Sequence, residues 1–122
     1  MEEALRHYQD ALAIHREVGA RRNEGVVLGE LGELHARAGR AGDAHCALAE
    51  GERLLRDVGD PLALGGLLCT VARLERGEGN LEAAAATLAD AESCAAEAAA
   101  GAGSGLGQAI ARLRAELGMG AS

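Results

Sequence analysis

Apolar residues recur every three to four positions along most of the chain, the spacing that places them on one face of an α-helix. Glycines interrupt this pattern regularly, since Gly19, Gly39, Gly59 and Gly79 stand twenty residues apart. Glycine adopts the left-handed conformation that ends many helices without the steric cost of a Cβ atom. The pattern therefore predicts one helix and one turn in each interval of twenty residues.

Six helices follow from this spacing, at about residues 2–18, 22–38, 41–58, 61–76, 81–99 and 106–117. The clearest boundary is Gly59-Asp60-Pro61, where glycine closes one helix, Asp60 caps the next and proline takes its first position. Asn80 is the expected cap after Gly79. Residues 101–107 are dense in glycine and predict a loop.

One arrangement of large and small residues occurs twice, forty residues apart, without an insertion or deletion. The first copy consists of Leu28, Leu31, Gly32, Ala44, Leu48 and Gly51, and the second of Leu68, Val71, Ala72, Ala84, Leu88 and Ala91. Its second half also appears upstream, as Ala4, Tyr8 and Ala11. A fixed period of roughly 20–50 residues is typical of a repeat protein. The small residues predict helices that cross closely.

Composition favours the same fold class. The chain has one aromatic residue, Tyr8, and no Phe or Trp, so its core must come from Leu, Val, Ile and Ala. Alanine has the highest intrinsic helix propensity. Together with the periodicity, this composition predicts an all-α protein.

Charge excludes several function classes. The twelve basic residues are all Arg, and against nineteen Asp and Glu they leave a net charge of −7. Such a chain lacks the positive surface that phosphate-backbone binding requires, so we expect no nucleic-acid partner. The absence of Lys excludes a P-loop or a Schiff base.

Three further features concern where the protein resides. No charged-then-apolar leader opens the chain, and no apolar run approaches the roughly 18 residues of a membrane span. The three cysteines, Cys46, Cys69 and Cys94, are odd in number and widely spaced. They are predicted to be reduced, small apolar fillers. These features predict a cytoplasmic protein with no membrane partner.

The repeated residues resemble the tetratricopeptide repeat (TPR). In that family a first helix, helix A, carries a large residue, Leu, a small residue and a large residue, and a second, helix B, carries Ala, a large residue and Ala. The period here is forty rather than about 34 residues, and His35 and Glu75 replace the usual last large residue of helix A. These departures resemble the longer repeats of large bacterial regulators.

The resemblance implies a right-handed α-solenoid of antiparallel helix hairpins, formed by a single domain over residues 1–122. Residues 1–19 would be a lone helix B, residues 21–59 and 60–100 two repeats, and residues 105–118 a terminal cap like helix A. Because this array begins on a helix B and ends on a helix A, two hypotheses follow. The chain is a piece of a longer array, or it pairs end to end with copies of itself.

The resemblance also implies a peptide groove lined by helix A. The matching positions are Val26, Gly29, Glu33 and Arg37 in one repeat and Gly66, Cys69, Arg73 and Arg76 in the next. Three arginines there oppose one glutamate, and arginine binds a carboxylate in bidentate fashion. We expect an extended or helical peptide of acidic character. Solvated arginines without a ligand are an equal alternative.

Other candidate chemistry is weaker. Residues 101–111 resemble the glycine-rich turn of short-chain dehydrogenases, but no strand candidate precedes them and no Lys completes that family's Tyr-and-Lys pair. None of the four histidines makes the His-x-x-x-His spacing of a metal site, and His35 is expected to replace a packing aromatic residue. No serine has a candidate catalytic base.

The sequence therefore predicts a non-catalytic interaction or sensing scaffold without a cofactor, in a bacterial signalling or regulatory protein. Its partner would be a protein or peptide. Two alternatives stay open: a segment for self-assembly, and a dinucleotide-binding enzyme that uses the loop at residues 101–107.

Overall fold

A computed structural model describes residues 2–119, which form six α-helices and no strand. The helices are α1 (Glu2–Val18), α2 (Arg21–Arg37), α3 (Ala41–Val58), α4 (Pro61–Gly77), α5 (Leu81–Glu97) and α6 (Gly105–Glu116). The predicted all-α class is confirmed for these residues, and each predicted helix end lies within about two residues of the observed one.

The twenty-residue spacing of the turns is confirmed in the backbone. The four predicted glycines have positive φ angles: Gly19 at 73°, Gly39 at 77°, Gly59 at 71° and Gly79 at 80°. After each glycine, the next N–H donates to a carbonyl five residues back, as from Ala20 to His15 at 2.9 Å. The fifth turn keeps this geometry at Ala99, whose φ is 54° although it carries a Cβ atom.

The chain divides into two compact units, Met1–Asp60 and Pro61–Ser122. In the first, α2 packs against both α1 and α3. Its core contains one buried residue of α1, three of α2 and two of α3: Leu12, Val27, Leu28, Leu31, Ala47 and Leu54.

Small residues bring α2 and α3 together. A Cβ atom on Gly32 would lie 2.5 Å from the Cγ atom of Leu48, so only glycine fits without displacing Leu48. The predicted close crossing at Gly32 is confirmed. Gly25, which lies earlier in α2, has the same role, because a Cβ atom there would lie 2.8 Å from the Cγ atom of Leu55 in α3.

The second unit contains α4, α5 and α6. Ala72, Ala84, Leu88 and Ala91 are fully buried in it, and their counterparts in the first unit are also buried. Helix α6 packs against both α4 and α5 through its buried residues Leu106, Ile110 and Leu113.

The connection between α5 and α6 is more ordered than a glycine-rich loop suggests. The Ser104 side chain caps α6 by accepting from the Gly107 N–H at 3.0 Å, and its hydroxyl donates to the Gly101 carbonyl at 2.7 Å. Gly107 has to lack a side chain, because a Cβ atom would collide with the Gly101 carbonyl oxygen. The predicted loop is therefore too long at its end, since Gly105 already begins α6.

Candidate functional site

A groove of about 790 Å³ runs between α5 and α6 in the second unit. Alanine is the commonest residue of its lining, with Ala95 and Ala96 from α5 and Ala111 and Ala115 from α6. Ile110 contributes the one branched apolar side chain of α6 to it. Of these residues, Ala96, Ala111 and Ala115 are exposed. Small apolar side chains on two neighbouring helices allow another backbone to approach closely.

One ion pair stands at the groove. The Arg114 guanidinium of α6 lies 2.7 Å from the Glu92 carboxylate of α5, and both side chains are part-buried. The pair links the two helices and supplies the charged groups of the groove lining.

In the first unit, a third helix, α3, lies beside the helices α1 and α2. Arg16 of α1 bonds to Glu24 of α2 at 3.0 Å and to Glu50 of α3 at 3.1 Å. Hydrogen bonding to Glu24 is the main cause that raises the pKa of Arg16, so the cation is held more firmly. Leu12 of α1 belongs to the same core as Leu54 of α3. Helix α3 therefore lies on the side of α1 that carries Leu12 and Arg16.

The repeat register relates this side of α1 to the groove. Glu92 and Ala96 of α5 stand eighty residues, or two periods, after Leu12 and Arg16. Both line the groove. The open side of the α5–α6 pair thus corresponds in register to the side of the α1–α2 pair that α3 covers.

The predicted helix-A strip is divided between the two units. On α2, Val26, Gly29 and Glu33 are half-buried, and the exposed Arg37 pairs with Glu33 at 2.8 Å. On α4, Gly66 and Arg76 are exposed and Arg73 is half-buried. Cys69 is only 1% exposed. Burial raises the pKa of the Cys69 thiol. The side chain leaves almost no surface for a ligand.

The strip's arginines all have partners within the chain. Arg73 donates to the Thr70 hydroxyl at 3.2 Å, and Arg76 lies 3.4 Å from the Glu116 carboxylate of α6. Glu116 adds an acidic group beside Arg76 that the pattern on helix A alone did not indicate. The use of these arginines for an acidic peptide stays a prediction.

The other features noted in the sequence are the glycine-rich segment, possible metal ligands and the cysteines. The glycine-rich segment follows α5 and so joins two helices, as predicted. Among residues 2–119 no three His, Cys, Asp or Glu side chains cluster as metal ligands would. No helix in that range is both long and apolar enough to cross a bilayer.

Cys69 and Cys94 are buried, whereas Cys46 is exposed, so the prediction that the cysteines are small apolar fillers is wrong for Cys46.

His35 and Glu75, which depart from the repeat pattern at equivalent positions, differ in their bonding. Glu75 accepts a hydrogen bond from the Thr87 hydroxyl at 2.6 Å. The Nδ1 atom of His35 is buried and has no hydrogen-bond partner within the described part of the chain. Its ring is half-buried, which is compatible with the predicted packing role.

The groove was not predicted from the sequence. The signal for it is the alanine run at the end of α5, together with Ala111 and Ala115 four residues apart on α6. Comparison of the chain with family models, with curated proteins and with solved structures finds no match.

Proposed function

We propose that this chain is a non-catalytic protein-interaction module, and that the groove between α5 and α6 receives an α-helix of a protein partner. The observation that carries the proposal is the lining of the groove: a space of about 790 Å³ bordered mainly by alanine and glycine. Helices that approach one another closely need small residues at the contact. Large apolar side chains of the incoming helix would fill the space.

The packing of α3 in the first unit supports a helix as the occupant. Leu48 and Leu55 of α3 lie over Gly32 and Gly25 of α2, seven residues apart on each helix. A partner helix with large apolar residues at this spacing would present them all on one face. A carboxylate on the partner could share Arg114 with Glu92, as Glu50 shares Arg16 with Glu24.

Contacts within the two hairpins support the TPR-like solenoid that forms part of this proposal. In the first unit, Gly32 of α2 faces Leu48 of α3. Gly25, which comes earlier in α2, faces Leu55, which comes later in α3. In the second unit, Glu75 meets Thr87 while Gly65 meets Cys94. Both series run in opposite directions along the two helices, as in an antiparallel hairpin. The right-handed superhelix, and a place in a cytoplasmic bacterial signalling protein, follow from the resemblance.

The test uses a labelled peptide with the sequence of residues 41–58, held helical by a side-chain cross-link. We expect saturable binding, measured by fluorescence anisotropy, with loss of binding when Leu48 and Leu55 of the peptide are both replaced by Glu. Ala96→Trp in the protein fills the groove and should weaken binding by about tenfold or more, since tenfold corresponds to about 1.4 kcal/mol.

Ala86→Trp is the matched control, because Ala86 is also an exposed alanine of α5 but does not line the groove. Circular dichroism verifies that both variants keep their helix content. Equal binding by the two variants, or no binding by the native chain, would remove the groove from the proposal.

A further inference from the structure

We infer that the helix received by the groove is α1 of a second copy of this chain, so that copies associate head to tail. The inference rests on the proposed function and names its partner. Three features of α1 support it: its exposed apolar side chains, its position in the repeat, and one carboxylate.

The first feature is apolar exposure. Ile14 of α1 is 58% exposed, whereas Leu54, its counterpart forty residues later in α3, is 4% exposed in the core. Val18, one turn further along α1, is also highly exposed. Helix α1 therefore presents to solvent a position that is covered on the equivalent helix α3. A second helix packed on this face would remove Ile14 from water, which is favourable.

The second feature is the repeat position. Ala4, Tyr8 and Ala11 of α1 hold the places of Ala44, Leu48 and Gly51 in α3. Of these, Leu48 and Gly51 lie against glycines of α2. The three residues of α3 are buried, while those of α1 are only half-buried against their own unit. Helix α1 thus has the small–large–small stripe of a helix B, and this stripe is still partly exposed to solvent.

The third feature is charge. Asp10 of α1 stands forty residues before Glu50, the carboxylate of α3 that bonds to Arg16. It is exposed. If α1 of a second copy lies beside α5 and α6 as α3 lies beside α1 and α2, Asp10 faces the groove that holds Arg114. The opposite charges then favour this helix over one with a basic residue at that position.

This association joins two different surfaces, so it is heterologous and continues from copy to copy unless a ring closes. A copy blocked at α1 still offers a groove, and a copy blocked at the groove still offers α1. Two complementary blocked variants should therefore pair with each other but not with themselves.

Ile14→Glu blocks α1, since it would place an unpaired charge in the interface, and Ala96→Trp blocks the groove. Sedimentation velocity of the native chain should show association that grows with concentration beyond a dimer. Each variant alone should be a monomer. Their equimolar mixture should form a one-to-one dimer and nothing larger. Ala13→Glu and Ala86→Trp, at exposed alanines of the same two helices, should associate like the native chain.

A native chain that stays monomeric, variants that still self-associate, or a mixture that stays monomeric would each overturn the inference. The proposed function fails separately. If the native chain is monomeric but the helical 41–58 peptide still binds and is excluded by Ala96→Trp, the groove takes a helix from another protein. If the peptide does not bind, the proposed function fails as well.

Discussion

The helix pairs α2–α3 and α4–α5 have the same repeat register in sequence, yet equivalent glycines in the two pairs are covered in different ways. In the first, Leu55 of α3 is 1% exposed and lies over Gly25. In the second, the equivalent residue of α5 is Ala95, which is too short to cover Gly65. Leu106 of α6 takes that place, with its Cδ2 atom 2.8 Å from where a Gly65 Cβ atom would be.

This difference explains why the second unit has both an added helix and a groove. Ala95 is shorter than Leu55, its equivalent in α3, and so leaves space beside α5. Leu106 occupies part of that space. Ala95 also lines the groove. A single shortened side chain thus admits α6 and contributes to the open surface that we propose as the binding site.

Leu106→Ala should cause the largest loss of stability. Leu106 is buried against Gly65, and removing a buried leucine side chain costs about 2–5 kcal/mol. Urea unfolding followed by circular dichroism measures the change. Leu62→Ala, at a leucine of α4 that is 52% exposed, should change the free energy of unfolding by less than about 0.5 kcal/mol.

Adding Ala95→Leu makes this prediction sharper. Alone, the larger residue should compete with Leu106 for space and destabilise the unit by about 1–3 kcal/mol. Combined with Leu106→Ala, it restores the arrangement of the α2–α3 pair, and the double variant should lose less stability than the sum of the single losses. Additive losses would mean that the two side chains do not share one space.

Gly32→Ala should also destabilise, by about 1–3 kcal/mol, because the added Cβ atom displaces Leu48 from the crossing. The expectation opposes helix propensity, which favours alanine over glycine by about 1 kcal/mol. Ala72, the equivalent residue of α4, is fully buried with its Cβ atom in place. Ala72→Gly should therefore destabilise too, and a gain in stability from Gly32→Ala would contradict the close crossing.

How much of this could be predicted from sequence depends on how local the cause is. The helix ends were predictable because the glycine turns are determined by adjacent residues, and Gly32 was predictable because its pattern repeats. The burial of Cys69 depends on tertiary packing, and the pairing of Arg76 with Glu116 depends on the position of α6; no periodicity in α4 reveals either. The groove was not predicted because a run of alanines is apolar on every face of its helix, so no single face stands out as a contact surface.

Ala99→Gly should stabilise the protein by up to about 1 kcal/mol. Ala99 has the positive φ angle that glycine adopts at the other four turns in this spacing, and an L-residue pays about 1–2 kcal/mol in that conformation. Greater freedom of glycine in the unfolded chain offsets part of the gain. Thermal unfolding should show a higher midpoint. Gly79→Ala, the reverse change at the preceding turn, should lower it.

The smallest effect concerns pH and again separates the units, because Cys46 is exposed in the first while Cys69 is buried in the second. Burial raises the pKa of the Cys69 thiol. Above a thiol's ordinary pKa of about 8.5, the unfolded chain loses this proton while the folded chain keeps it. The free energy of unfolding should therefore be unaffected below that pH and fall as the pH rises towards the folded pKa. Urea unfolding across this pH range should show a shallower fall in the free energy of unfolding for Cys69→Ala than for the native protein, and the native fall for Cys46→Ala. An equal fall in the native protein and both variants would assign the pH dependence to other groups.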